Sequence, residues 1–402
     1  MCCTKAGFKV ITMANHKIKN TELFDKIVAT ISKNGPLSLA SYISHALEDP
    51  DYGYYKTRDP FGTNGDFITA PEISGLFGEM CGLYLAHIAE LSGLHDPAIF
   101  ELGPGRASLI VDMRHVWQRI MPSLTTAPVH LLETSPLLRC IQQDRLSDVT
   151  LFFHENLDHL PAQPIFSIAN EFFDSLPVMQ AILRQETNDA DGIWRHRLVG
   201  LLDGQLEFID GPPLRPDETR DWALEILQTA GTELPLNGDI NNHRIAEYCP
   251  LANTYAGKMA HHLRAYGGAC LIIDYGRDGQ SGDSLQAVCN HQPVDVFYQP
   301  GSADLSHWVD FSAIRRAAEK AGARLIGPIT QGEFLCNIGI IQRSEALAKL
   351  ADVETRRGLF AAVDRLVSNQ QMGSAFKVAL MLPPGAGLPP GFTTGSQGAT
   401  LS

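Results

Sequence analysis

From Leu23 to Leu47 apolar residues recur at helical spacing, at Leu23, Ile27, Ile31, Leu37, Leu39, Ile43 and Leu47. Asn34-Gly35-Pro36 interrupts them, so the pattern predicts two helices. A loop rich in glycine and aromatic residues follows, DYGYYKTRDPFGTNGDFITAPEIS, and helix resumes near Leu76 and runs to about Ser92. From residue 98 the pattern changes. Short, nearly all-apolar runs alternate with helical stretches: AIFELGPG then SLIVDMRHVWQRI, VHLLET then PLLRCIQQDRL, VTLFFHE, and PIFSIANEFFD. Strands without a polar face need cover on both sides, and strands alternating with helices imply right-handed crossovers. The expectation is an α/β chain with a doubly wound, mostly parallel sheet.

That rhythm stops between about Val178 and Pro250. Asp-Gly pairs at 191–192 and 203–204 predict β-hairpins there, read as an inserted, substrate-facing lobe over 178–250. The alternation resumes with a helix over 251–266 and the strand GGACLIIDYG. Residues 277–309 read as a long irregular loop. A helix over 311–321, the segment ARLIGPI, a helical region over 331–367 and the strand FKVALML close the pattern. The predicted organisation is a tail over 1–20, an N-terminal helical segment with a pocket-closing loop over 21–97, and a core domain of 98–177 with 251–382. A second flexible tail covers 383–402, where Pro, Gly, Ser and Thr dominate.

Composition narrows the function. The 402 residues exceed the roughly 250–300 that one core supports, which suits a core plus an insertion. At 44% hydrophobic and 19% charged residues the chain is ordinary globular protein. A net charge of -13 argues against a nucleic-acid partner, which needs a basic stripe. No apolar run approaches the roughly 18 residues of a membrane span, so no membrane insertion is expected. Eight scattered cysteines with no Cys-x-x-Cys pair point to a reducing compartment and give no zinc ribbon. A bacterial-type cytoplasm is the first reading and the mitochondrial matrix the alternative. The fourteen histidines form no His-x-x-x-His helical pair, so no metal site is expected, and His261-His262 reads as a solvated helix face.

The sharpest local signal is Glu101-Leu102-Gly103-Pro104-Gly105-Arg106, ending the first strand of the alternating region. Glycines there permit a tight turn and close ligand approach. A P-loop is excluded, since Arg106-Ala107-Ser108 stands where Gly-Lys-Ser/Thr is required. A dinucleotide turn prefers a third glycine where this chain has Ser108. S-adenosylmethionine (SAM) needs instead an open turn beside its methionine part, a carboxylate for the ribose diol and a polar group for adenine. Glu133 ends the second strand at the ribose position, which would serve NAD equally. Glu155 and Asn156 follow the third strand, at the adenine position. A helix-capping role is the plain alternative for Glu133. After the fourth strand stand Asn170-Glu171-Phe172-Phe173-Asp174, at the carboxyl edge where α/β sheets bind ligands. Asn170, Glu171 and Asp174 would face the reacting end of the cofactor, where carboxylates can orient a guanidinium. Further polar clusters are Asp66 to Glu72, Asp274-Tyr275-Gly276, Asp304 with His307 and Asp310, and Gln331-Gly332-Glu333-Phe334. A Ser triad is not supported, because no Gly-x-Ser-x-Gly elbow exists.

On these residues the chain resembles the MidA-like class I SAM-dependent methyltransferases. The ordered segments that carry the resemblance include DPDYGYYKTRDPFGTNGDFITAPEISGLFGE, ELGPGR, LLETSPLLRCIQQ, IANEFFDSLPVMQ, LIIDYG, GDSLQAV, PGSADLSHWVDF, TQGEFL and MGSAFKV, from Ile27 to Leu382. The resemblance implies a Rossmann-like class I fold, SAM as cofactor and, as acceptor, an arginine of a respiratory complex I subunit or similar protein. Glu101, Gly103, Pro104 and Gly105 would then cradle the methionine side and Glu133 the ribose. Asn170, Glu171 and Asp174 would face the acceptor, and Asp66 with Thr69 would close the pocket. An assembly factor that binds without turnover is the non-enzyme alternative, and a nicotinamide oxidoreductase the rival enzyme. The family commonly has glycine where this chain has Ala107, and cofactor binding is expected to survive provided φ there is negative.

Overall fold

The computed structural model describes residues 21–57, 69–184, 192–222, 244–279 and 282–392. Seven strands build the central sheet: β1 (Ala98–Leu102), β2 (Val129–Leu132), β3 (Leu151–His154), β4 (Ile165–Asn170), β5 (Gly268–Arg277), β6 (Arg324–Thr330) and β7 (Phe376–Leu382). Their spatial order is β3-β2-β1-β4-β5-β7-β6. The pairs from β3 to β5 are parallel, and β7 runs antiparallel to both β5 and β6. A short strand, Val309–Asp310, extends the end of β5 in parallel. Every residue of β1, β2 and β4 is buried. The cause is cover on both faces. Ile99, Phe166 and Ile168 join one core cluster with helices Gly75–Ser92 and Ser108–Ile120. Their neighbours Ala98, Phe100, Ile165 and Ala169 join the other, with helices Pro250–Tyr266 and Phe311–Lys320. Alternation along a strand assigns each residue to its face.

The chain enters this sheet in the middle. It goes outward through β2 and β3 on one side, then returns to β4 and β5 on the other. The crevice at the carboxyl ends of β1 and β4 is therefore the switch point, where open α/β sheets take ligands.

The inserted region forms a second, antiparallel sheet from Met179–Arg184, Ile193–Leu202, Gln205–Pro213 and Arg244–Tyr248. The turn at 203–204 has Asp203 at φ 50° and Gly204 at φ 78°, the paired left-handed residues a tight hairpin needs. The first hairpin's turn includes Asp191, outside the described residues. Leu37–Ser38 adds to the edge of this sheet, and Leu23, Ile27, Tyr42 and Ile43 pack in one cluster with Val178, Val199 and Leu206. The N-terminal segment is thus shared. Its first two helices cover the inserted sheet, while helix Gly75–Ser92 packs on the central one.

Three expectations are corrected and one, the helical region, is refined. Residues 277–309 are not simply irregular. They contain a three-stranded antiparallel sheet of Gln286–Cys289, Gln292–Val294 and Asp304–Ser306, whose strands are too short to show an alternating pattern. The helical region 331–367 is three helices, Gln331–Asn337, Ile340–Ala348 and Val353–Val367. Gly339 at φ 94° breaks the first from the second, and Asp352 caps the third by accepting from Thr355 N at 2.8 Å. Residues 383–392 are not a loose tail. Phe392 is 3% exposed against Tyr84 and Phe334, and Asn337 Nδ2 donates to Gly391 O at 3.0 Å. His262 is not solvated: it is buried, its Nε2 lies 3.0 Å from Gln163 O, and its ring meets Tyr266. The tail 1–20 lies outside the described residues.

Candidate functional site

A cavity of about 400 Å³ opens at the carboxyl ends of the central strands. Its first wall is the turn after β1. Gly103 and Gly105 have φ 66° and 52°, and a side chain at Gly103 would come within 2.9 Å of the Phe172 ring. Ala107 has φ 61°, so the condition of a negative φ fails there. The turn demands the left-handed region from an alanine, at a cost of about 1–2 kcal/mol. Ala107 packs into the core beneath helix Ser108–Ile120 and does not line the cavity.

Glu133, at the end of β2, both caps and faces the cavity. Its Oε1 accepts from Thr134 N at 2.8 Å and Ser135 N at 2.7 Å, ahead of helix Pro136–Arg145. Its Oε2 accepts from Gln142 Nε2 at 3.2 Å, and the same amide donates to Gly105 O at 2.6 Å. Burial pushes the Glu133 carboxyl up, and the bonds from Ser135, Gln142 and Thr134 pull it back. Gln142 is fully buried and was not singled out in the sequence, because one polar residue on a helix carries no motif. Glu155 lines the cavity beyond β3 and pairs with Arg139 at 3.6 Å. Asn156 is not part of that wall. Its Oδ1 accepts from Asp158 N at 2.9 Å.

Behind the glycine turn a small crevice is lined by Glu101, Pro104 and Asn170, with Thr69, Gly103 and Glu171 shared with the main cavity. Glu101 Oε2 and Asn170 Oδ1 are buried there with no hydrogen-bond partner among the described residues. Burial pushes the Glu101 carboxyl up to about 8. Asp66 lies outside the described residues.

The third wall is the turn after β4. Glu171 has φ 52°, and its N–H donates to Ile273 O at 2.9 Å. Its Oε1 accepts from Ala70 N at 3.1 Å and Asn170 Nδ2 at 3.2 Å, which fastens the helix Ala70–Ile73 over the site. Phe172 and Phe173 are buried in the core. Their N–H groups donate to Asp274 Oδ2 at 3.1 and 2.8 Å, so Asp274, at the end of β5, holds this turn. Burial pushes Asp274 up to about 7. Asp174 is half-buried on the cavity wall. Burial raises its carboxyl well above the ordinary range, and the neighbouring charges of Asp274, Glu171 and Asp304 add to the effect.

Opposite stands the small antiparallel sheet within residues 277–309. Asp304 and Ser306 alternate on one strand and both line the cavity. Tyr55 OH donates to Asp304 Oδ1 at 2.7 Å, and Gln286 Nε2 donates to Ser306 Oγ at 3.2 Å. Of the cluster named with Asp304, His307 is buried with ring nitrogens 3.1 Å from Trp308 O and Leu176 O. Asp310 caps helix Phe311–Lys320 through Ser312 N and Ala313 N. Tyr55 and Arg365, both on the cavity wall, carried no sequence signal of their own.

These features suit SAM. Gln142 ties the Glu133 carboxylate to the glycine turn, and buried acceptors without a partner among the described residues sit behind that turn, a set that a ribose diol and a cationic group would fit. A family model described as S-adenosyl-L-methionine-dependent methyltransferase matches residues 80–329. The chain belongs to this methyltransferase family. Its cofactor is SAM, its fold is the class I α/β fold, and it is an enzyme family in which the dinucleotide reading has no place. The chain is 32% identical over 400 residues to protein arginine methyltransferase NDUFAF7, mitochondrial, from Xenopus tropicalis, covering 90% of this chain and 86% of that one. The human protein of that name is 32% identical, with 93% and 87% covered. The crystal structure of a Burkholderia thailandensis protein bound to S-adenosyl-homocysteine matches this methyltransferase with TM-score 0.75 and 26% identity. The match covers 92% of this chain and 94% of that one.

Proposed function

We propose that the protein methylates an arginine side chain of another protein. The observation that carries this reading is the acidic end of the cavity, where Glu171 and Asp174 from the turn after β4 and Asp304 from the small antiparallel sheet line one space. Buried like charges are costly unless a cation joins them. A guanidinium is planar and permanently charged, and its fork of donors matches carboxylates. Asp174 and Asp304 would fix that fork, with Tyr55 orienting Asp304 through its 2.7 Å bond. Glu171, anchored by Ala70 N, would hold the lid helix closed above. Glu133, Glu155, Gly103, Gly105 and Thr69 would hold the cofactor, and Glu101, Pro104 and Asn170 would back the turn.

SAM supplies an electrophilic methyl carbon. A guanidinium nitrogen attacks it in line, the N–C bond forms as the C–S pair returns to sulfur, and one N–H proton passes to Asp174. The chain's part is positioning and receipt of that proton. The relatives' names support a protein arginine as acceptor, and a respiratory complex I subunit is the target we propose first. Those relatives are named mitochondrial, so we propose the matrix or a bacterial-type cytoplasm as the compartment.

The test is transfer of labelled methyl from SAM to proteins of a lysate lacking this methyltransferase, followed by mass spectrometry. Methylarginine on a defined protein is expected, lost when that arginine is replaced by lysine. A methyl mark on another residue type would overturn the arginine reading. SAM binding without transfer to any protein would favour an assembly factor that acts by binding.

A further inference from the structure

The described residues lining the cavity include six carboxylates, on Glu48, Glu133, Glu155, Glu171, Asp174 and Asp304, and a single cation, Arg365. Arg365 lies in the last turn of helix Val353–Val367. An arginine there commonly bonds the free carbonyls of its own helix. This one makes no hydrogen bond and no ion pair among the described residues. Its charge acts on Glu171, whose carboxyl it favours in the ionised form without a hydrogen bond or ion pair between them.

The end of that helix is held with unusual closeness. Gln331, fully buried, donates from Nε2 to Leu366 O at 2.9 Å. A side chain at Gly332 would come within 2.4 Å of Val367 O, and one at Gly373 within 2.1 Å, so only glycine fits at either position. Met372 and Phe376, beside Gly373, line the same cavity. The segments TQGEFL and MGSAFKV therefore both close on one helix end, and that end presents a guanidinium without a hydrogen-bond partner among the described residues.

SAM carries a sulfonium, an ammonium and one carboxylate. The two cations find carboxylates throughout this cavity. The carboxylate would meet repulsion from every charged lining residue named above except Arg365. We propose that Arg365 is the receptor for the carboxylate of the cofactor's methionine part, clamped in place by Gln331, Gly332 and Gly373. The inference rests on the cofactor reading and is independent of which acceptor is methylated. Arg365 lies on the connection between β6 and β7, far along the chain from the glycine turn, which is why the turn alone did not point to it.

The test is calorimetric and uses two ligands. S-adenosyl-homocysteine has the carboxylate. S-adenosyl-3-thiopropylamine keeps the nucleoside, thioether and amine and lacks only the carboxylate. The wild-type protein should bind the first at least about tenfold more tightly, the scale of one charge-assisted hydrogen bond. Arg365→Gln should weaken S-adenosyl-homocysteine about 10- to 100-fold and leave the amine unchanged or tighter. Arg365→Lys should recover part of the loss, because it restores charge without the fork. Equal weakening of both ligands by Arg365→Gln would overturn the proposal. So would unchanged S-adenosyl-homocysteine binding with a raised KM for the protein acceptor, which would assign Arg365 to the acceptor side. If Arg365→Gln does not fold, the wild-type preference decides: equal affinity for the two ligands overturns the proposal. Failure of the wild type to bind either ligand would instead strike at the cofactor reading.

Discussion

The two ends of the cavity treat their carboxylates differently. At the end of β2, Glu133 is surrounded by donors: two backbone N–H groups and the Gln142 amide. Those bonds favour the ionised form and partly undo the effect of burial. At the other end, Asp174 is raised by burial and then raised again by three neighbouring acids. In the reading proposed above, the first carboxylate would accept hydrogen bonds from a neutral diol. The other group is prepared for a positive charge, which would remove the repulsion that raises it. That difference supports the proposed division of the cavity into a cofactor end and an acceptor end.

The sharpest way to break this comparison is to cross the two ends. Asp174→Asn should reduce methyl transfer by roughly 10²-fold or more with little change in SAM affinity, because the amide keeps size but presents donors to the guanidinium. Glu133→Ala should do the reverse. It should weaken SAM by about 1–3 kcal/mol, the range for losing a charged hydrogen-bond partner. Calorimetry for binding and single-turnover rates at saturating SAM separate the two. Equal losses of binding and turnover in both variants would make the residues structural and erase the distinction.

A second, smaller effect concerns pH. Burial holds Glu101 at about 8 and Asp274 and Glu247 at about 7, well above the values near 4 of an unfolded chain. The folded state therefore binds protons that the unfolded state has released, and stability contributed by these groups is lost as pH rises through the folded values. Buried His130 and His307, lowered to about 4 by desolvation, act in the opposite sense only below their unfolded value near 6.5. Between about pH 6.5 and 8 the ligand-free protein should thus melt at lower temperature as pH rises, levelling off above that, and Glu101→Gln should flatten the slope. A melting temperature that rises across this window would show that the buried carboxylates do not control it.

What the sequence revealed follows from the range of the interactions. The strand–helix alternation, the glycine turn and the Asn170–Asp174 segment are local, and hydrophobic period and turn chemistry expose them directly. Asp304 was seen as a polar residue in a loop. Its place on the cavity wall depends on three strands of three or four residues pairing with one another. Tyr55 reaches Asp304 across 249 positions of chain, and Gln331 reaches Leu366 across 35. No periodicity records such contacts. Glu133 shows the reverse case, since one carboxylate both bonds the backbone ahead of its helix and lines the cavity.

The smallest expected effect tests the boundary of the cofactor end. Ala107 sits at φ 61° where glycine would be unstrained. Relief of that strain by Ala107→Gly is worth about 1–2 kcal/mol. Two terms oppose it. Glycine gains freedom in the unfolded chain, about 0.5–1 kcal/mol, and a buried methyl worth roughly 0.8 kcal/mol is lost. Ala107 is 0% exposed, so the methyl term applies nearly in full. The three terms nearly cancel, and the melting temperature should move by no more than about 2 °C. The methyl group belongs to the core cluster under helix Ser108–Ile120 rather than to the cavity wall. S-adenosyl-homocysteine affinity should therefore stay within about twofold of wild type, since no ligand contact is removed. A tenfold change in calorimetric affinity would mean that position 107 shapes the cofactor turn itself, and would extend the cofactor end one residue past Arg106 into the helix.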